Sequence, residues 1–258
     1  MKNLGLIIGT GQCNANCAHC AGVPLRQHAP LADGLLNEDL ILDTLRDTHH
    51  RHAEHVSLSG SGEPTLSPAS VTKVMLLINQ LRDEGMVFIS VSLYSNGVRI
   101  GTDEAFCQQW LPFWKDLGLD WVKITVHDVN EVRNAKHYGI PEYPPLRMVF
   151  SRIHDAGLRV RANLLLSRET IGTCEDFIKN ANHLREIGVD SISAWALRGM
   201  DDEVDPALSP STEELDKMEL WGMTASFIVK ISRSREGYLT NQKMTLFQNG
   251  VLSSKWCN

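Results

Sequence analysis

The chain has 258 residues, 43% of them hydrophobic and 22% charged, which suits one α/β-barrel-sized domain or two small ones. A formal net charge of −6 argues against a large nucleic-acid footprint and leaves room only for a local basic groove. The opening MKNLGLIIGTGQC holds too short an apolar run for a signal peptide, and no stretch approaches a membrane span. The six cysteines are therefore expected as cytoplasmic thiols open to metal or redox chemistry.

The first predicted element is an apolar strand, Leu4 to Ile8, which runs into TGQCNANCAHC. Cys13, Cys17 and Cys20 fall there as C-x3-C-x2-C, a compact set of soft metal ligands. Fe–S clusters are normally held by four thiolates. No fourth cysteine follows nearby, so a four-iron cluster here would keep one iron open. Two other readings share the spacing: His19 is available as a fourth zinc ligand, and a disulfide would leave one thiol over and need an oxidising compartment. Cys107, Cys174 and Cys257 are scattered, with no spacing that suggests a second cluster.

Asn37 is placed to cap a helix with Leu40, Ile41 and Leu45 on one face. His49, His50, His52 and His55 gather at its end, where cations complement the helix dipole, and are expected to be solvated. His55 to Ser59 predicts a second strand ending in glycines. Ser67 then caps and Pro68 opens a second helix, with Val71, Val74, Met75, Ile78 and Leu81 at helical spacing.

From there the pattern repeats. Gly85 precedes VFISVSLYSNG, Gly118 WVKITVHD, Gly157 RVRANLLLS and Gly188 SISAWALR, at intervals of about 30 to 40 residues that match a helix-and-strand unit. Six strands, each but the last followed by a clear helix, predict a partial (β/α)6 TIM-like barrel over residues 1–205. The strands read as apolar with little alternation, as if helices covered one face and a packed interior the other. Pro112 is expected to kink or split the third helix. Residues 206–258 form a short α/β extension, with a helix from Thr212 and a hairpin on Asn249-Gly250, covering the barrel mouth or packing beneath it.

Polar residues gather at the carboxyl ends of these strands, where α/β sheets carry function. After the cysteine loop come Gly60, Gly62 and Glu63 on strand two, Asn96 on three, and Thr125, His127 and Asp128 on four. Asn163 lies on strand five, and Arg198, Asp201 and Asp202 follow strand six. Core packing alone gives no reason for that placement.

CNANCAHC, followed in order by SGSGEPTL, YSNG and VKITVHD over roughly the first two hundred residues, resembles the radical S-adenosylmethionine (radical SAM) superfamily. The resemblance implies that Cys13, Cys17 and Cys20 hold a [4Fe-4S] cluster whose open iron chelates the methionine end of S-adenosylmethionine (SAM). Gly60, Ser61, Gly62 and Glu63 match the glycine-glycine-glutamate stretch beside the cofactor. Asn96, Thr125, His127 and Asn163 then stand near the ribose and methionine, and Trp195 flanks adenine. His19 replaces an aromatic apolar residue usual at that position, and His127-Asp128 replaces an aspartate expected two residues after Thr125. Lys123, Asp128, Arg161, Arg198 and Asp202 are the candidates for substrate contact.

The implied activity is reductive cleavage of SAM to a 5′-deoxyadenosyl radical, which takes hydrogen from a small polar substrate (a sugar, nucleoside or amino-acid derivative) bound over the barrel mouth. An electron donor such as flavodoxin or ferredoxin is implied as a partner; nucleic acid and membrane are not. A glycyl-radical-enzyme activase and a tRNA-modifying enzyme are alternatives. A non-catalytic Fe–S or zinc-binding module is the alternative of another class.

Overall fold

The computed structural model describes residues 2–198, 203–232 and 243–254. The six expected strands form as β1 (Asn3–Ile8), β2 (His55–Gly60), β3 (Ser90–Ser95), β4 (Trp121–Val126), β5 (Arg159–Leu166) and β6 (Ser191–Ala196). They pair in parallel in chain order. Helices α1 (Glu38–His50) and α2 (Pro68–Asp83) fill the first two connections. The third holds α3 (Val98–Thr102) and α4 (Glu104–Asp116), the fourth α5 (Glu131–Tyr138) and α6 (Leu146–Asp155), and the fifth α7 (Cys174–Glu186). The sheet has two free ends and does not close into a barrel.

Helix ends follow the local chemistry. Gly85, Gly118, Gly157 and Gly188 all take positive φ, between 73° and 110°, the left-handed geometry that lets glycine stop a helix. Helix α1 lacks a glycine there, and His52 takes the left-handed position instead, at φ 63°. Asn37 caps α1 through Leu40 N. Ser67 sits at the start of α2 but does not cap it: its hydroxyl accepts from Thr10 N at 3.1 Å. Asp33 caps α2 from outside, accepting from Ala69 N at 2.9 Å and Ser70 N at 2.8 Å. Pro112 does not split α4, which is continuous from Glu104 to Asp116.

Two expectations need correction. The helix expected from Thr212 forms as α8 (Thr212–Gly222), but an unexpected seventh parallel strand, β7 (Ile228–Ser232), follows it beside β6. Thr224 follows the Met223 cap of α8, where the earlier units carry a glycine after the cap. Strand β8 (Lys243–Leu246) pairs in parallel with β1, and β9 (Leu252–Ser253) closes the expected hairpin on β8. Among the described residues, the extension lengthens the sheet at both edges.

The second correction concerns the strands themselves, which alternate. Val56, Leu58, Leu93, Val122, Ile124, Val160 and Ala162 are buried in the core shared with the helices. The residues between them face the other way. Ser57, Ser92, Tyr94, Lys123, Arg161 and Asn163 line a cavity of about 220 Å³ where a packed apolar interior was expected.

Candidate cofactor and active site

Cys13, Cys17 and Cys20 are half-buried free thiols on the loop after β1. Burial raises the Cys13 and Cys17 thiols and pushes Cys17 up to about 12, with charge on Cys20 and then Cys13 as its next causes. The three sulfurs therefore share one neighbourhood, and metal binding is what would remove their protons. The thiolates of a four-iron cluster sit on different irons and need no common point. Among the described residues, no three His, Cys, Asp or Glu side chains close on a single ion. This donor set fits a cluster.

Backbone contacts hold the loop from two sides. Glu63 N donates to Gln12 O at 2.8 Å, and Gly62 lies so close that a Cβ there would stand 2.1 Å from Gln12 O. On the other side, Asn16 N donates to Tyr138 O at 2.7 Å, and a Cβ on Gly139 would meet Asn16 O at 2.6 Å. Side chains add to this frame. Asn96 Nδ2 donates to Asn14 Oδ1 at 2.7 Å and approaches Cys13 Sγ at 3.9 Å. Arg26 donates through Nε to Ser61 O at 3.2 Å and reaches Cys20 Sγ at 4.0 Å. Gln248, beyond β8, donates to Gly9 O at 2.6 Å and accepts from Ser61 Oγ at 3.0 Å.

Glu63 is 4% exposed. Its Oε1 accepts from Thr65 N at 3.0 Å, Thr65 Oγ1 at 2.8 Å and Ser95 Oγ at 2.8 Å, and its Oε2 from Asn96 N at 2.7 Å. Burial raises its pKa, while these donors favour the carboxylate and oppose that rise. The carboxylate thus ties the end of β2 to the end of β3 and orders Asn96 beside Cys13.

The other expected residues divide by position. Asn163 and Trp195 line the cavity with Lys123 and Arg161. Thr125 lies opposite Asn163 across β4 and β5, and its carbonyl accepts from Tyr138 Oη at 2.7 Å. His127 is buried against Tyr138, and burial, with His137 and His19 nearby, lowers its pKa to about 4. His19 is exposed. Asp128 is fully buried and does not line the cavity; Arg133 holds it through Nε at 2.6 Å and Nη2 at 3.0 Å. Arg198 also lies outside the cavity lining and bridges to Val204 through its backbone. Asp201 and Asp202 fall outside the described residues, as does Cys257.

Residues 7–207 match the Radical SAM superfamily. The chain belongs to that superfamily. Membership makes it an enzyme and carries with it the expected cofactors, a [4Fe-4S] cluster and SAM. Solved structures agree on the radical SAM fold. SuiB of Streptococcus suis, bound to S-adenosylmethionine, matches with a TM-score of 0.64 at 14% identity, over 98% of this chain and 58% of that one. Native anSMEcpe with bound AdoMet matches at 0.60 and 14% identity, over 100% and 75%. HydG, a maturase of the [FeFe]-hydrogenase, matches at 0.60 and 14% identity, over 90% and 51%. The chain therefore spans less than two thirds of SuiB. No curated protein matches it by sequence. Among the described residues, no helix is long and apolar enough to cross a membrane.

Sequence reasoning missed Gln12, Asn14, Arg26, Tyr138 and Gln248. Their contacts run through backbone atoms or across long separations, so no local spacing marks them.

Proposed function

We propose that this radical SAM enzyme reductively cleaves SAM at its [4Fe-4S] cluster and uses the 5′-deoxyadenosyl radical to take hydrogen from a small polar substrate. The observation that carries the reading is the polar cavity of about 220 Å³. It lies on the inner face of the same strands whose carboxyl ends frame the cysteine loop. That volume suits a metabolite-sized group.

In this reading Cys13, Cys17 and Cys20 hold the cluster, and Glu63 and Asn96 keep their loop in place. Gly60, Ser61, Gly62, Thr125, His127, Asn163, Trp195 and His19 surround SAM. Lys123 and Arg161 reach substrate, while Asp128, engaged by Arg133, acts only as a loop support. A flavodoxin or ferredoxin supplies the electron. Whether the outcome is oxidation, elimination or isomerisation is decided by the substrate.

The test is anaerobic reconstitution with iron and sulfide, addition of SAM and dithionite, and measurement of 5′-deoxyadenosine. Cleavage is expected, and Cys17→Ala abolishes both the four-iron spectrum and the product. A full four-iron spectrum with no cleavage of SAM would sink the proposal.

A further inference from the structure

Register places Tyr94, Lys123, Arg161 and Ser191 side by side across β3, β4, β5 and β6. Neighbouring strands lie about 4.8 Å apart, so the two cationic stems stand next to each other on one face. Like charges in that position repel, and more so when partly buried. Lys230 and Lys243 line the same cavity, and no carboxylate does so among the described residues.

The cations are partly organised already. Lys123 Nζ lies 4.9 Å from the centre of the Tyr94 ring. Arg161 lies 4.8 Å from the Trp121 ring and donates through Nε to Ser191 Oγ at 2.9 Å. That bond fixes the guanidinium plane and leaves the terminal nitrogens as a fork suited to two oxygens. The local field is strong enough to act on a neighbour. Burial alone would raise the Tyr94 hydroxyl, yet Lys123, Lys243 and Arg161 together pull it down to about 8.

We propose that Arg161 and Lys123 bind the phosphate or carboxylate group of an anionic substrate inside the sheet's concave face. The inference rests on the proposed function and names the class of its substrate. Thr125 and Asn163 stand two residues further along the same strands, about 7 Å nearer the cysteine loop. An oxyanion anchored at Arg161 would leave the rest of a small molecule extending toward that end. The substrate would thus enter the cavity rather than sit over the mouth. Ser193 adds a neutral hydroxyl to the lining, whereas Ser57 and Ser92 donate theirs to Leu4 O and Val56 O.

The experiment is anaerobic calorimetry on the full reconstituted chain, with inorganic phosphate and acetate titrated separately at fixed ionic strength in chloride. At least one anion should bind, and Arg161→Gln and Lys123→Met should each weaken it tenfold or more, with Arg161→Lys weakening it less. Tighter phosphate binding assigns a phosphate ester, and tighter acetate binding a carboxylic acid. A second measurement needs no cavity variant of Arg161 or Lys123: bound anion should raise the Tyr94 ionisation followed by absorbance, a change lost in Tyr94→Phe. Failure of both anions to bind, or equal binding by wild type and both variants, overturns the proposal. SAM cleavage measured alongside separates the two claims. Cleavage without anion binding defeats only the substrate class, and anion binding without cleavage defeats only the reaction.

Discussion

Replacing Gly62 by alanine tests whether the cysteine loop is held by backbone packing. A Cβ at residue 62 would sit 2.1 Å from Gln12 O and 2.5 Å from the Gly11 carbonyl carbon and oxygen, none of which is a flexible side-chain end. Ordinary contact begins near 3.4 Å, so Gln12 must retreat by about 1.3 Å. That movement breaks the 2.8 Å bond from Glu63 N to Gln12 O. A buried amide left unsatisfied costs about 1–3 kcal/mol, and overpacking adds about 1–3 kcal/mol. The expected loss is therefore about 2–6 kcal/mol in urea denaturation. Cys13 adjoins Gln12, so iron incorporation on reconstitution should fall several-fold as well. Gly85→Ala is the control: nothing lies within 4 Å of its Cβ, and only the left-handed φ of 87° opposes the change, at about 1–2 kcal/mol with no loss of iron. A Gly62→Ala protein with wild-type stability and iron content would refute the reasoning.

Three further outcomes are expected. His52→Gly should stabilise by about 1 kcal/mol, because φ 63° strains a residue carrying Cβ; an unchanged or lower urea midpoint would count against this. His127 stays neutral when folded down to about pH 4 but is protonated in the unfolded chain below about 6.5. Stability should accordingly be complete above pH 6.5 and fall by about 3 kcal/mol toward pH 4. His127→Phe should flatten that slope by one proton, and an identical slope in the variant would dismiss the assignment. Asn96→Ala should lower 5′-deoxyadenosine yield through a less ordered cysteine loop while leaving the unfolding free energy within about 1–3 kcal/mol of wild type, since its backbone bond to Glu63 persists; an unchanged yield per cluster would argue against the role.

Much of the fold was legible because its signals are local. Left-handed glycines at Gly85, Gly118, Gly157 and Gly188 mark helix ends, and Asn37 caps as its position suggests. The seventh strand escaped notice because Thr224, not a glycine, follows the cap of α8. The polar cavity was legible too, in S-V-S-L-Y-S, W-V-K-I-T-V and R-V-R-A-N-L, had the period of two been given more weight than overall apolarity. At the site, the cysteine spacing and the glycine-glutamate stretch were visible. The structure shows that Gly62 is required by the Gly11–Gln12 backbone, whatever the cofactor also demands. That contact spans fifty residues, and single-sequence patterns carry no distance information on that scale. The same holds for Asp33, which caps a helix that begins thirty-five residues later.

The bracing of the cysteine loop by Gln248 also has a temporal side. Gly9 and Gln248 are 239 residues apart. At about 5–20 residues per second, a ribosome delivers the second some 12–50 s after the first. During that interval β1 has β2 on one edge and lacks β8 on the other, and Ser61 lacks its amide acceptor. A cluster delivered to the nascent chain would meet a loop supported on one flank only. One delivered after Lys243–Leu246 has docked would meet the finished frame. The strand order thus separates synthesis of the cysteine loop from arrival of the strand and the glutamine that brace it.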